Sequence, residues 1–287
     1  MSQFDITLKP AQIEIVLHPH SSYVQAYDVT NNSSETLLLS TSVSSWIPAD
    51  NLGTVTYPDN SIDSTLTFSL SNSDLKLNQD FLLNPNQKKQ LVLKINNPSS
   101  EESDHYLTFF ITQKPLNNTL SAHQNLAKIG SHLLISTTNQ NSLTSNLEVS
   151  HFSLKPAIKD VFSPIKIQGE ILNNGNHYSQ INGQISIYKN DQLFSQQDLF
   201  PYNITTQNSR LIQCLNSQNE ASPCQLTTPL WPGLYKGVIN ISGNSSKYEY
   251  SFQFFVFPYS IILFILFSFL SLFYILKTKQ TISSKKA

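Results

Sequence analysis

The chain has 287 residues, of which 13% are charged, and a formal net charge of -1. That length accommodates about two domains of ordinary size, each able to bury its own core. Arg210 is the only arginine. Because a phosphate backbone is neutralised by clustered lysine and arginine, this composition argues against nucleic acid as a partner. The 17 Phe and 12 Tyr, with 8 Gly and 1 Met, favour an all-β fold.

Residues 1–138 are predicted to form the first of two immunoglobulin-like β-sandwiches. The sequence alternates with the two-residue period of a half-buried strand at Ile13, Ile15 and Leu17, and again at Val24, Ala26 and Asp28. Further strands are separated by turn residues, with a long loop at Pro48–Ser64 and a last strand ending near Thr138. Short strands at this spacing are typical of a sandwich.

A polar linker at residues 139–146 is expected to lead into the second sandwich, predicted for residues 147–253. The segment QISIYKNDQLFSQQ predicts a hairpin that turns at Asn190-Asp191. Trp231 and Tyr235 are predicted as core or corner aromatic residues of this domain.

Several turns and strand ends of the first domain carry a family resemblance. They are the turns Pro19-His20 and Pro85-Asn86, the strand ends V-T-N-N-S and I-N-N-P, and the H-Y pair that follows. This order resembles the N-terminal half of the WxL-interacting surface proteins of Gram-positive bacteria and, more distantly, pilus-chaperone-like sandwiches. The turns of that family usually read Pro-Gly. Asn86 adopts a left-handed conformation nearly as easily as glycine, and His20 less easily.

The resemblance extends to the layout of the whole chain, which is two sandwiches, a helix and a basic tail. It implies that the outer part of the protein contacts cell-wall polymer or partner surface proteins.

The apolar run from Phe254 to Leu276 contains no charged residue and is predicted to form a transmembrane helix. Such a helix would be about 34 Å long, which is enough to cross a bilayer. Pro258 suits the first helical turn, where its missing N–H costs nothing. Tyr259 and Tyr274 fall where interfacial aromatic residues are found. The alternative, a buried core helix, is disfavoured because so long an apolar run is rare in soluble domains.

The tail at residues 277–287 contains four lysines, Lys277, Lys279, Lys285 and Lys286. By the positive-inside rule this tail lies in the cytoplasm and the two domains lie outside the cell membrane. The opening MSQFDITLKP shows no basic, apolar leader. Either a signal peptide was removed, or the start lies further upstream, or the protein is tail-anchored with its N-terminal part in the cytoplasm. The lysine asymmetry favours the outside placement.

Cys214 and Cys224 flank one polar stretch, LIQCLNSQNEASPCQL, and are predicted to form a disulfide. Such a bridge persists only outside a reducing cytosol. The alternatives are two free thiols and, less favoured, a metal site, for which the C-x-x-C spacing and a nearby histidine are missing.

The sequence contains no G-x-S-x-G, no H-E-x-x-H and no glycine-rich phosphate loop, so it predicts neither an enzyme nor a cofactor. His18 and His20 flank a proline turn and are expected to be exposed polar residues rather than a metal pair. Glu101, Glu102 and Asp104 offer the oxygen ligands that calcium prefers, but a solvated turn is the favoured interpretation. No metal site is predicted.

The leading functional hypothesis is a membrane-anchored extracellular interaction or scaffold protein, whose partner is a protein or a cell-wall polymer. The segments Pro48–Ser64 and Lys114–Lys128 are the first candidates for its binding surface, because long loops on a rigid sandwich often carry function. The alternatives are a tail-anchored cytoplasmic adaptor and an accessory subunit of a membrane complex that docks through its helix.

Overall fold

A computed structural model describes residues 5–58, 62, 65–115, 127–140, 142–154 and 158–284, with side chains as far as Leu276. The chain divides into two compact units. The first unit comprises Met1–Asn146, Asn173–Ser179 and Ile204–Asn208, and the second comprises Leu147–Leu172, Gln180–Asn203 and Ser209–Ala287. Two short segments from the second half of the chain therefore belong to the first unit.

The first unit is a two-layer β-sandwich. Its strands are β1 Ile6–Lys9, β2 Gln12–Leu17, β3 Ser22–Asn31, β4 Leu37–Ser45, β5 Ile47–Pro48, β6 Val55–Thr56, β7 Thr67–Leu70, β8 Asp80–Leu83, β9 Lys88–Asn96, β10 Ser103–Lys114 and β11 Lys128–Thr137. One sheet has the order β1-β3-β9-β7 and the other β2-β11-β10-β4-β8, while β5 pairs with β6 alone. Pro10 lacks the N–H that a ladder requires and separates β1 from β2, which join different sheets.

Alternate side chains of both sheets form the core of the first unit. The ring of Tyr27 on β3 packs against Phe109 on β10 at 4.8 Å between centroids, and burial raises the pKa of Tyr27 to about 12. The alternation predicted for β2 is correct, since Ile15 and Leu17 are buried. On β3 the predicted set Val24, Ala26 and Asp28 is the wrong one: the core takes Tyr27 and Val29, which lie on the opposite face of the strand.

The second unit contains the remaining strands and the one helix of the described chain. The strands are β12 Leu147–Ser153, β13 Ile158–Lys159, β14 Ile165–Lys166, β15 Gln168–Asn173, β16 Ser179–Lys189, β17 Gln192–Asp198, β18 Tyr202–Ile204, β19 Asn208–Leu211, β20 Gln213–Leu215, β21 Ala221–Pro223, β22 Gln225–Leu226, β23 Gly233–Ser242 and β24 Lys247–Val256. The main sheet has the order β13-β24-β23-β16-β17, with β18 beside β16, and a second sheet has the order β12-β15-β19.

The two larger sheets of the second unit pack through aromatic side chains. Phe152 on β12 contacts Tyr250 and Phe252 on β24, with ring centroids 4.9 and 4.7 Å away. Ile171 and Ile239 are fully buried in the same unit. The predicted all-β fold class, with immunoglobulin-like sandwiches and one C-terminal helix, is confirmed.

Positive φ angles occur at several of the predicted turns. His20 and Asn86 both have a positive φ, at 53° and 57°, so His20 adopts the left-handed conformation despite its bulk. The hairpin predicted to turn at Asn190-Asp191 is present: β16 and β17 pair antiparallel on either side of these residues, which have φ of 47° and 64°. Two consecutive positive φ angles are the signature of a tight hairpin turn.

The helix α1 spans Tyr259–Ser284. Its stretch Tyr259–Leu276 has a mean hydropathy of 2.4 and is not buried within the structure, so length and composition suffice for a membrane span. The helix begins later than the sequence predicts, because Phe254 belongs to β24, where it pairs with Tyr235 on β23 and is only 2% exposed. A continuous apolar run does not distinguish strand from helix by its periodicity, which accounts for this difference.

The predicted disulfide between Cys214 and Cys224 is present, and both residues are fully buried. The stretch between them, which the sequence suggests is a loop, is a short hairpin in which β20 pairs with β21. The Asn216 side chain accepts hydrogen bonds from the N–H groups of Gln218 and Glu220 and so closes the turn.

Replacing both cysteines by alanine is expected to lower the free energy of unfolding of the second unit by about 2 to 3 kcal/mol. The reason is that the disulfide closes a short ring and so reduces the conformational entropy of the unfolded chain. Denaturant unfolding of the full chain in detergent measures the change. The unmodified protein treated with a reductant should lose a similar amount, and the double variant should not respond to reductant. Equal midpoints with and without the bridge would contradict the expectation.

Candidate functional site

The outer face of the sheet β2-β11-β10-β4-β8 carries polar and aromatic side chains. Two adjacent rows cross strands β4, β10 and β11: one is Ser42, Phe110 and Gly130, and the other is Ser44, Thr108 and His132. Alternate residues of a strand point to opposite faces, so these rows lie on the side away from the core residues Val43 and Phe109.

Phe110 is the aromatic centre of this face and is held on three sides. Gly130 leaves room for it, since a Cβ at that position would come within 2.9 Å of the Phe110 ring. Tyr57 meets the ring edge-on at 5.1 Å between centroids, and its hydroxyl lies 3.1 Å from Thr108 Oγ1. The Nζ atom of Lys128 lies 3.4 Å from the ring centroid, which is the geometry of a cation–π contact.

The segment Pro48–Ser64, predicted as a structureless loop, contains the hairpin of β5 and β6. Inside it the Asp50 carboxylate accepts three backbone N–H bonds of 2.9 Å, from Leu52, Gly53 and Thr54. Hydrogen bonds, foremost those from Thr54, hold the pKa of Asp50 below its usual range. Residues 59–61 and 63–64 lie outside the described part of the chain.

A groove of about 510 Å³ opens beside Phe110, and we call it the outer-face groove. It is lined by Ser42, Val43, Ser44, Ile62, Asn78 and Lys128. Ile62 belongs to Pro48–Ser64 and Lys128 to Lys114–Lys128, so both segments chosen from the sequence reach it; residues 116–126 of the second are outside the described range. The lining offers hydroxyl, amide and ammonium groups beside two apolar residues, Val43 and Ile62, a combination that orients a polar ligand.

Asp104 is not in a solvated turn, as the sequence suggests for it. It lies on β10 and its side chain is only 3% exposed, whereas Glu101 and Glu102 are exposed. The carboxylate is buried because five donors saturate it, namely the hydroxyls of Tyr106, Ser136 and Thr206, the Nδ1 atom of His177 and the N–H of Tyr178. We call this group the Asp104 hub. Burial and then the negative charge of Asp104 raise the pKa of Tyr106.

The Asp104 hub attaches the two late segments of the chain to the first unit. His177 and Tyr178 come from the segment Asn173–Ser179, and Thr206 comes from Ile204–Asn208. The bond from His177 Nδ1 to the carboxylate is 2.9 Å and that from Thr206 Oγ1 is 3.2 Å. Charge-assisted hydrogen bonds of this kind are about twice as strong as neutral ones.

The predicted anchor residues are distributed over strand, junction and helix. Phe254 is in β24, Pro258 directly precedes the helix, and its carbonyl accepts the N–H of Ile262. Tyr259 begins the helix, and the side chains of Tyr274 and Leu276 are exposed near the end of the apolar stretch. The predicted topology residues Lys277 and Lys279 continue the helix, while Lys285 and Lys286 lie outside the described residues.

Sequence reasoning missed the residue that holds the start of the helix. Asp160, which is 2% exposed, accepts hydrogen bonds from the N–H and hydroxyl of Ser260, at 3.1 and 2.7 Å. A carboxylate at this position satisfies free N–H groups and matches the positive end of the helix dipole. Burial opposes its ionisation, but the hydrogen bonds from Ser260 prevail and the pKa of Asp160 is lowered. Next to it the Lys159 carbonyl accepts the N–H of Phe257.

No local sequence pattern marks Asp160 as the residue that caps the helix, because Ser260 lies a hundred residues further along the chain.

Within the residues that the structure describes, His, Cys, Asp and Glu side chains form no cluster suited to a metal ion. His18 and His20 are exposed, as expected, and His18 Nδ1 lies 2.9 Å from the Thr138 carbonyl oxygen.

Replacing His132 by asparagine is expected to reduce the acid sensitivity of the first unit. Partial burial holds the pKa of His132 below its ordinary 6.5, so below that pH the unfolded chain takes up a proton that the folded chain does not, and stability falls. Asparagine keeps a polar atom near Thr108 but does not titrate. Thermal unfolding between pH 5 and 8, followed by the fluorescence of Trp46, whose ring lies 5.6 Å from His132, measures the difference. Parallel pH curves would contradict the assignment.

No family model and no curated protein matches the chain, so its kinship with the WxL-interacting proteins stays a prediction. Similar solved structures include the class 5 fimbriae chaperone CfaA, with 11% identity, a TM-score of 0.45 and coverage of 88% of this chain and 100% of that one. The E. coli chaperone DraB has 13% identity, a TM-score of 0.41 and coverage of 86% and 96%. The Salmonella enterica SafA pilin in complex with the SafB chaperone gives 10% identity, a TM-score of 0.41 and coverage of 88% and 98%.

Proposed function

We propose that the protein is a single-pass membrane-anchored interaction protein, with both units outside the cell membrane and a partner protein bound in the outer-face groove. The observation that carries the proposal is the direct passage of strand β24 into an exposed apolar helix. Only Phe257 and Pro258 separate the strand from the helix, and Asp160 closes the junction through Ser260.

The exposed state of α1 supports membrane anchoring. The apolar stretch Tyr259–Leu276 has none of its residues buried in the protein, and 18 residues of helix extend about 27 Å, close to the hydrocarbon thickness of a bilayer. An apolar surface of this size is unstable in water. A lipid bilayer provides its cover.

Two features support the outside placement of the units. Lysines follow the apolar stretch at Lys277 and Lys279, and cytoplasmic flanks are enriched in such residues. The disulfide of Cys214 and Cys224 suits an oxidising compartment.

The outer-face groove supports a binding role for the first unit. Two of its lining residues adjoin the fixed ring of Phe110, namely Ser42 by strand register and Lys128 by its cation–π contact. Preorganised surroundings of this kind reduce the entropic cost of binding. Ser42 and Ser44 offer hydroxyl groups, while partial burial lowers the pKa of Lys128. We assign a protein segment as its ligand, and cell-wall polymer is the alternative that the second experiment below separates.

Protease digestion of intact cells tests the placement of the units. A tag at the N-terminus should be lost and a tag at the C-terminus should be protected until the cells are permeabilised. The tail-anchored cytoplasmic alternative gives the opposite result. The variant Leu266→Lys/Leu270→Lys should leave the membrane fraction, because each lysine at mid-membrane costs about 3 kcal/mol, whereas Leu266→Ala/Leu270→Ala should stay there. Retention of the lysine variant would contradict the anchor.

The variant Ser42→Trp should fill the outer-face groove and lower partner capture by at least about tenfold, because a bulky ring removes the space that a ligand occupies. Ser69→Trp is the matched control, since Ser69 is exposed on β7 in the other sheet of the same unit. Capture is measured separately from surface-protein extracts and from purified cell-wall material.

A selective loss in the protein fraction supports a protein ligand, and a selective loss in the wall fraction assigns the groove to polymer. Equal capture by Ser42→Trp and Ser69→Trp in both fractions would remove the groove from the proposal. Both variants must keep the thermal midpoint of the parent protein, because a misfolded sheet also loses its ligand.

A further inference from the structure

The large hydrophobic residues that are exposed in the second unit ahead of the helix are not scattered. Within the described residues they all occur in four short stretches, 158–162, 193–194, 230–234 and 255–257. Each stretch adjoins the end of a strand of the sheet β13-β24-β23-β16-β17. Isolated exposed apolar residues are ordinary on a protein surface, but a contiguous group of them marks an interaction site.

Strand directions bring the four stretches to one end of the sheet. Strand β24 ends at Val256, and β13 runs parallel to it and ends at Lys159. Strand β23 runs antiparallel and begins at Gly233, opposite Val256. The hairpin of β16 and β17 turns at Asn190-Asp191 on the same side, because β16 is antiparallel to β23. This end of the sheet is also where helix α1 begins.

A continuous row of apolar side chains crosses three of these strands. Ile158 is registered with Phe255, and Phe255 with Leu234, and the three side chains are 54%, 41% and 57% exposed. Register neighbours point to the same face of a sheet. The row therefore forms one surface, and its central member stands four residues before Tyr259.

The loops at this end extend the surface. Trp231, predicted from the sequence as a core or corner residue, is 75% exposed, although its carbonyl accepts the hydroxyl proton of buried Tyr235. Phe162 and Phe257 are exposed as well. We name the set Ile158, Phe162, Trp231, Leu234, Phe255 and Phe257 the apolar collar.

Cationic side chains stand next to the apolar collar. Lys189 donates a hydrogen bond from Nζ to the Pro232 carbonyl at 3.2 Å, and Lys236 is exposed two residues beyond Leu234 on β23. Tryptophan with lysine near an apolar surface is the composition found at membrane–water interfaces, where lysine reaches the phosphates and the ring sits at headgroup depth.

We propose that the apolar collar is a membrane-docking surface that seats the end of the second unit in the interfacial layer of the bilayer spanned by α1. This inference rests on the proposed function, because it requires α1 to cross that bilayer. Lipid is the occupant that the position of the collar favours. The surface is continuous along the chain with the apolar helix, and the junction held by Asp160 and Ser260 brings both to the same membrane.

Tryptophan fluorescence of the full chain in lipid vesicles tests the proposal. The sequence has 2 Trp, so subtracting the spectrum of Trp231→Phe isolates Trp231 from buried Trp46. In vesicles with brominated acyl chains the Trp231 emission should fall by about twofold, and iodide in the buffer should quench it about threefold less than an exposed tryptophan, as expected for an interfacial ring.

Two reporters in the Trp231→Phe background provide the controls. Phe267→Trp reports insertion of the helix. Tyr248→Trp lies at the opposite end of β24, seven residues from Phe255 and therefore about 23 Å away along the strand. Tyr248 is half-buried, so the tryptophan there should respond to iodide equally with and without vesicles and should be insensitive to bromine.

Quenching of the helix reporter without quenching of Trp231 would overturn the docking surface and leave the anchor in place. Quenching of neither would overturn both proposals. Equal quenching of the Tyr248→Trp reporter and Trp231 would mean general adsorption and would also refute docking by the collar. A Trp231 that is open to iodide in pure lipid vesicles but protected in native membranes would assign the collar to a protein partner, against the proposal.

Discussion

Strand β24 passes into helix α1 through Phe257 and Pro258 alone, and the carboxylate of Asp160 closes the passage by accepting two hydrogen bonds from Ser260. Because β24 pairs with β23 along its whole length and with β13 at its end, the start of the helix is fixed to a sheet rather than suspended on a flexible linker. The proposed anchor and the apolar collar both depend on this junction, since it places exposed aromatic residues at the first turn of the apolar helix.

Much of the fold follows from local sequence signals. Asn190-Asp191 predicts a hairpin because both residues tolerate a positive φ. Cys214 and Cys224 lie on one short segment, so their disulfide could be predicted from the sequence. Local sequence patterns give the wrong prediction where one pattern is compatible with two structures. The core-facing set of β3 depends on Tyr27 and Val29 packing against the opposite sheet, and the run beginning at Phe254 is apolar enough for either a strand or a helix, so that only pairing decides.

The candidate site was accessible from the sequence only in part. The length of two predicted loops indicated the segments that contain Ile62 and Lys128, and both residues line the outer-face groove. The position of the Phe110 ring next to Lys128 depends on strand register, which sets Gly130 beside Phe110, and no local pattern encodes that register. Asp160 and the Asp104 hub could not be predicted for a related reason. Ser260 lies 100 residues after Asp160, and the late donors His177 and Thr206 lie 73 and 102 residues after Asp104. A charged residue is expected at the surface until such donors are known to be close.

The Asp104 hub has a consequence for the order in which the protein is made. The last strand of the first unit, β11, ends at Thr137, yet the carboxylate inside that unit needs the donors of His177 and Thr206. During synthesis the first unit therefore emerges with only two of the five donors of this carboxylate, the hydroxyls of Tyr106 and Ser136. It reaches its final state only after about seventy further residues have followed. Completion of the N-terminal sandwich is thus coupled to the synthesis of the second unit, and it comes shortly before the apolar helix α1 is made.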